Sequence, residues 1–160
     1  MVRNARVDHI TFVVSDLDRT TTALERVLGR PATPAISLTG MAVRTLRVGD
    51  AELHINTPRG AGPVADFLRA RGPGIHHVAI AVDDLDVAID VLAGRGVRTL
   101  GIPKDTAPGL REVFIDPASV DGVVLQLVER RGKAPLNQLD IAALERLLRD
   151  GTPDVTNGRR

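Results

Sequence analysis

The stretch Gly74-Ile75-His76-His77-Val78-Ala79-Ile80-Ala81-Val82-Asp83-Asp84-Leu85-Asp86 decides the fold, because Val7-Asp8-His9-Ile10-Thr11-Phe12-Val13-Val14-Ser15-Asp16-Leu17-Asp18 already spells it once. Aligned on the histidines, His9 meets His77, Phe12 meets Ile80 and Asp16-Leu17-Asp18 meets Asp84-Leu85-Asp86, an offset of 68 residues. A single repeat of nearly half the chain implies a duplicated half-domain with a pseudo-twofold axis, whereas solenoids repeat every 20 to 50 residues. Groups near such an axis come in pairs.

Val7 to Val14 is mostly β-branched or aromatic and reads as a largely buried strand. Alternation puts Val7, His9, Thr11 and Val13 on one face and Asp8, Ile10, Phe12 and Val14 on the other. Ser15-Asp16 supplies oxygen acceptors for a helix start, and Leu17, Leu24, Val27 and Leu28 form its apolar side until Gly29 and Pro31 end it. Met41 to Val48 and Ala51 to Asn56 read as two strands joined by a tight turn at Val48-Gly49-Asp50-Ala51. Pro63 to Arg69 is a short helix opened by its proline, and Gly72-Pro73-Gly74 separates the halves. The second half repeats the order: a strand from Ile75 to Val82, a helix from Asp86 to Ala93 stopped by Gly94 and Gly96, and a short strand from Val97 to Leu100. Strands Glu112 to Ile115 and Val123 to Val128 then pair across Asp116-Pro117-Ala118-Ser119. The class is α+β, with two tandem βαβββ-type modules, about 7–71 and 75–130, whose curved mixed sheets carry helices on one face and a cleft on the other.

These modules make one domain over residues 1–131, a size long enough to bury a full core. In residues 132–160, Gly132-Lys133-Ala134-Pro135 reads as a linker, Leu139 to Leu148 as a short amphipathic helix docked on the domain or a second subunit, and Gly151 to Arg160 as a disordered tail.

Composition excludes several function classes. The formal net charge of +1, scattered basic residues and the absence of Trp and Tyr argue against nucleic acid, which needs a basic track and stacking surfaces. Without cysteine there is neither a disulfide framework nor thiolate chemistry. No apolar run approaches a membrane span and the start lacks a signal-peptide core, so the expected compartment is the cytoplasm, with no membrane partner.

The chain has four histidines, His9, His54, His76 and His77. His9 and His77 occupy matching positions of the first strand in each half. Setting Ala51-Glu52-Leu53-His54-Ile55-Asn56 against Val123-Val124-Leu125-Gln126-Leu127-Val128 pairs His54 with Gln126. Two pairs of nitrogen or oxygen donors related by one axis would make a metal site. His76 points to the other strand face and is expected to pack or hydrogen-bond beside the helices.

Val7-Asp8-His9, Asp16-Leu17-Asp18, Val27-Leu28-Gly29, Val48-Gly49-Asp50, Gly74-Ile75-His76-His77-Val78-Ala79, Gly94-Arg95-Gly96-Val97, Phe114-Ile115-Asp116-Pro117 and Gly122-Val123-Val124-Leu125 together carry a resemblance running from about Val7 to Glu129. The chain resembles the vicinal oxygen chelate superfamily of glyoxalase I, extradiol dioxygenases and fosfomycin and bleomycin resistance proteins. Within it the chain is most similar to the methylmalonyl-CoA epimerases. The resemblance implies a paired βαββ fold with one divalent metal (Co, Ni, Mn, Zn or Fe) held by one residue from each of four strands, carried over as His9, His54, His77 and Gln126. It also implies a small-molecule substrate and a homodimer. The epimerases usually have Gln or Glu where His54 stands and Glu where Gln126 stands. They often place an acid/base glutamate on the strand that here reads Met41-Ala42-Val43-Arg44-Thr45, without a carboxylate. Ala23-Leu24 replaces the family's usual aromatic pair, and Ala118 a lysine.

Three neutral imidazoles and an amide would leave the charge of a divalent ion uncompensated, which favours Lewis-acid activation of a carbonyl or acyl substrate, an acyl-CoA included, with proton transfer beside the carbonyl as in an epimerase or isomerase. Glu52, two residues before His54 on the same strand face and roughly 7 Å from it, is the candidate catalytic carboxylate. Arg44 and Arg111 are candidate anchors for a substrate carboxylate. The alternatives are a non-haem iron(II) dioxygenase and a non-catalytic small-molecule binding or resistance protein.

Overall fold

The computed structural model describes residues 5–38, 40–107 and 109–131. The predicted helix from Leu139 to Leu148 lies outside them. Among the described residues the fold is α+β, with three α-helices and eight strands in a mixed arrangement. Two compact units divide the chain: His9–His76, and Asp8 with its preceding neighbours joined to the chain from His77 onward.

The first unit is built from β1 (Arg6–Val13, from His9 on), α1 (Leu17–Leu28), β2 (Ile36–Leu38), β3 (Met41–Val48), β4 (Ala51–Pro58) and α2 (Pro63–Arg71). Its strands run in the order β2-β3-β4-β1. The tight turn at Gly49, whose φ of 59° suits glycine, closes the β3/β4 hairpin with Val48 opposite Ala51 and Thr45 opposite His54. β1 and β4 are parallel, with His9 opposite Glu52 and Thr11 opposite His54. Residues directly opposite share a face, so His9, Thr11, Thr45, Glu52 and His54 line one side. The other side carries Ala42, Leu46 and Ile55, packed with Leu17, Leu24 and Leu28 of α1. Asp16 caps α1 by accepting a hydrogen bond from the Arg19 amide at 2.9 Å, and Gly29 ends it in the left-handed region. Val27 does not join this apolar side as predicted. It is 78% exposed, because the stripe runs through Leu17, Leu24 and Leu28, which already fill the sheet-facing sector. The three-residue β2 was not predicted; it extends the edge by pairing Ile36 with Val43.

In the second unit β5 (Gly74–Ala81, from His77 on), α3 (Leu85–Ala93), β6 (Thr99–Ala107), β7 (Leu110–Ile115) and β8 (Leu125–Arg130) run in the order β5-β8-β7-β6. The repeated motif repeats its structure: Asp84 caps α3 by accepting from the Val87 amide at 2.9 Å, as Asp16 does in α1. Val82, Leu85, Ala88, Val113, Ile115 and Leu127 form the core between α3 and the strands. On the opposite face Ala79, Ala81, Leu110 and Val128 pack together. β6 starts later and runs far longer than the predicted Val97 to Leu100, reaching Ala107 through two register irregularities against β7. The segment after β7 winds into a turn of 3-10 helix, Pro117–Ser119, capped by the Asp116 carboxylate.

Candidate functional site

His9 and His54 come together in the first unit. Their rings stack with centroids 4.0 Å apart and planes 9° from parallel. The parallel register of β1 and β4 produces this contact, since it sets the two residues diagonally on one face. His9 is only 6% exposed. Glu52 joins them, its Oε2 lying 3.3 Å from His54 Nε2, and the Arg47 guanidinium approaches the same carboxylate at 4.0 Å. The predicted carboxylate and two of the predicted metal donors therefore form one cluster.

The other two predicted donors lie in the second unit. His77 meets the Phe114 ring edge-on at a centroid distance of 5.4 Å. Gln126 is 4% exposed and stands opposite Ala79 on β5 and Phe114 on β7. Its Oε1 is buried with no hydrogen-bond partner, a costly state for an amide carbonyl unless a cation or donor supplies the missing contact.

Glu112 shares this face, two residues before Phe114, and was not picked out from the sequence. Burial pushes its carboxyl up to about 7. The nearby Thr106 hydroxyl, the Gln126 amide and the charge of Arg130 oppose the rise, while Asp8 adds to it. The residue keeps partial access to solvent while protein surrounds its carboxyl. Beside it Arg130 grips Asp8 in a two-pronged ion pair at 2.6 and 2.7 Å.

The two candidate anchoring arginines occupy the helix-covered faces. Arg44 neighbours Thr45 and so points away from His54; its guanidinium holds Asp18 of α1 at 2.8 Å. Arg111 neighbours Glu112 and points away from Gln126, reaching Asp86 of α3 with two contacts of 2.9 Å and Glu129 at 3.3 Å. That guanidinium holds the Asp86 carboxyl below the usual carboxylate range. His76 packs against the edge of Phe67 on α2 at 4.9 Å, beside a helix as its strand parity predicts. Burial, helped by Arg71, lowers its pKa to about 4.

The divalent metal implied by the resemblance finds suitable donor chemistry here. A stacked imidazole pair and a buried amide oxygen without a partner are ligands that Co, Ni, Mn, Zn or Fe accept. Among the described residues no group of three or more His, Cys, Asp or Glu side chains is arranged to hold an ion.

The chain is similar over 128 residues to the ethylmalonyl-CoA/methylmalonyl-CoA epimerase of Cereibacter sphaeroides, at 30% identity, covering 76% of this chain and 96% of the relative. Its fold is similar to the crystal structure of methylmalonyl-CoA epimerase from Mycobacterium tuberculosis, with a TM-score of 0.70 at 30% identity over 79% of this chain and 88% of that one. A methylmalonyl-CoA epimerase in complex with methylmalonyl-CoA and NH4+ also has a TM-score of 0.70, at 27% identity over 82% of this chain and 99% of that one. Residues 8–114 match the family profile itself, and the chain belongs to the Glyoxalase/Bleomycin resistance protein/Dioxygenase superfamily.

Proposed function

We propose that the chain is a divalent-metal-dependent enzyme that moves a proton beside the carbonyl of a small acyl substrate, an acyl-CoA thioester in particular, as an epimerase does. The observation that carries this reading is the His9/His54 stack with Glu52 at 3.3 Å: two imidazoles and a carboxylate gathered on one largely covered face. The likeness to acyl-CoA epimerases supports the substrate class. A metal bound through His9, His54, His77 and Gln126 would supply a Lewis acid that lowers the acidity barrier of the carbon next to the carbonyl. Glu52 would take up the proton, and His54, hydrogen-bonded to it, would hold the carboxylate in place and steady its charge. Thr11 and Thr45 stand opposite His54 on its two sides. Arg47, 4.0 Å from Glu52, would help to hold that carboxylate in place.

The test is exchange of the α-proton of methylmalonyl-CoA or ethylmalonyl-CoA in deuterated water, followed by NMR with protein loaded separately with cobalt, nickel, manganese, zinc or iron(II). Metal-dependent exchange that Glu52→Gln slows at least a hundredfold, within the ordinary range for a general base, is the expected result. Absence of exchange with every metal, or oxygen consumption by the iron form alone, would overturn it. Light scattering of the same preparations checks the homodimer that belongs to this reading.

A further inference from the structure

Gln126 has two chemically opposite ends, and only its carbonyl oxygen can hold a cation. Nothing directly across from it sets which end points outward. Its neighbours on the two flanking strands are Ala79, with a methyl group, and Phe114, with a hydrocarbon ring. The orienting group must therefore be a diagonal neighbour. On β7, Phe114 faces Gln126 and Glu112 faces Val128, so Glu112 stands one diagonal step from Gln126 on the same face. The Glu112 carboxyl lies near enough to the Gln126 amide to interact with it, while Gln126 Oε1 is left buried and without a partner.

We propose that Glu112 is a positioning residue that takes up the N–H side of the Gln126 amide and so commits its carbonyl oxygen to a divalent cation. This rests on the reading of Gln126 as a metal donor. An amide alone is ambiguous, since a half-turn exchanges its acceptor for its donor and would present N–H groups to a cation. An acceptor on one side removes the ambiguity, as carboxylates do for ring nitrogens of metal-bound histidines. The neighbouring Asp8–Arg130 pair limits Glu112 in turn: Arg130 lies close enough to attract its carboxyl, and the two-pronged grip of Asp8 holds that guanidinium in place. His77 stands on the other diagonal of Gln126, two residues before Ala79 on β5, so the amide lies between a proposed ligand and its positioning carboxylate.

The test uses the full chain, stripped of metal, and cobalt(II) as the probe. Titration calorimetry compares wild type, Glu112→Leu, Glu112→Gln, Gln126→Leu and the Glu112→Leu/Gln126→Leu double variant. The side-chain amide resonances of Gln126 are followed by NMR in the metal-free protein. Glu112→Leu should weaken cobalt binding about tenfold, the lower end for loss of an outer partner of a metal ligand. The double variant should bind no worse than Gln126→Leu, and Glu112→Gln, which keeps an acceptor, should recover most of the loss. In the metal-free protein the Gln126 N–H signals should move upfield and exchange faster in Glu112→Leu, a change that a general loss of packing would not confine to this one side chain. Unchanged affinity and unchanged amide signals in Glu112→Leu would overturn the proposal and leave the metal reading standing. Failure of wild type to bind cobalt or any other divalent ion would instead overturn the metal reading, and the amide signals would still decide whether Glu112 orients Gln126.

Discussion

Arg130 holds Asp8 through Nε and a terminal nitrogen at 2.6 and 2.7 Å, joining residues 122 positions apart in the chain. Asp8 is 8% exposed, so the pair is largely removed from water. Removing one partner leaves the other charge without its main compensation, which costs about 3 kcal/mol. Asp8→Asn should therefore lower the urea midpoint substantially. Replacing both residues with apolar ones of similar size should cost less than the single change. Equal losses in the two variants would show that the pair itself contributes little.

Glu112 makes stability depend on pH in an unusual direction. Its ordinary value is 4.5 and its folded value about 7. Between those limits the unfolded chain has given up a proton that the folded chain keeps, so stability falls as pH rises from about 4.5 to 7 and then levels. Glu112→Gln should remove that slope and raise stability at pH 8 by roughly 2 kcal/mol, allowing for partial contact with water. Thermal unfolding of the two proteins at pH 5 and pH 8 measures the difference.

His76 acts with the opposite sign. Its pKa falls from 6.5 to about 4 in the folded chain, so the unfolded chain takes up a proton that the folded chain refuses. Stability is lost as pH drops from 6.5 through about 4. In the window where the two groups overlap their slopes offset each other, and wild type should look nearly flat. His76→Gln should then gain stability on acidification and Glu112→Gln should lose it. Parallel profiles for the two variants would contradict both assignments.

Gln126→Glu should tighten metal binding about tenfold at pH 8, since a carboxylate is a harder and charged donor. The gain should shrink at pH 6, because Glu112 next to a second carboxylate leaves the two sharing a proton. His77→Ala should largely abolish binding. Calorimetry at both pH values reads these changes, and a gain independent of pH would place Glu112 out of reach of position 126.

The duplicated stretch made the element order and both helix starts readable, because a short motif carries its own cap: Asp16 and Asp84 each accept from the amide three residues on. The faces of Arg44 and His54 were also within reach. The tight turn at Gly49 fixes Val48 opposite Ala51, and counting outward places Thr45, not Arg44, across from His54. The neighbourhood of Glu112 had no such key. The long connection between β7 and β8, with its turn of 3-10 helix, leaves their register open to sequence, so nothing marked Glu112 as the diagonal neighbour of Gln126. Val27 failed for a different reason: the helical stripe was drawn one residue too wide, and the sheet beneath α1 is filled by Leu17, Leu24 and Leu28. The extent of β6 depends on irregular pairing with β7, which local propensity does not encode.

The unit His9–His76 is one continuous piece of chain, while its counterpart is broken around it, with Asp8 before and Arg130 far behind. A ribosome delivers these two units on different schedules. The continuous one has all of its own residues before the second repeat begins. The broken one has to wait for β8 while its first contributor, Asp8, has been out of the tunnel for most of synthesis. A chain released before residue 130 would therefore carry one unit whole and the other without the arginine that grips Asp8.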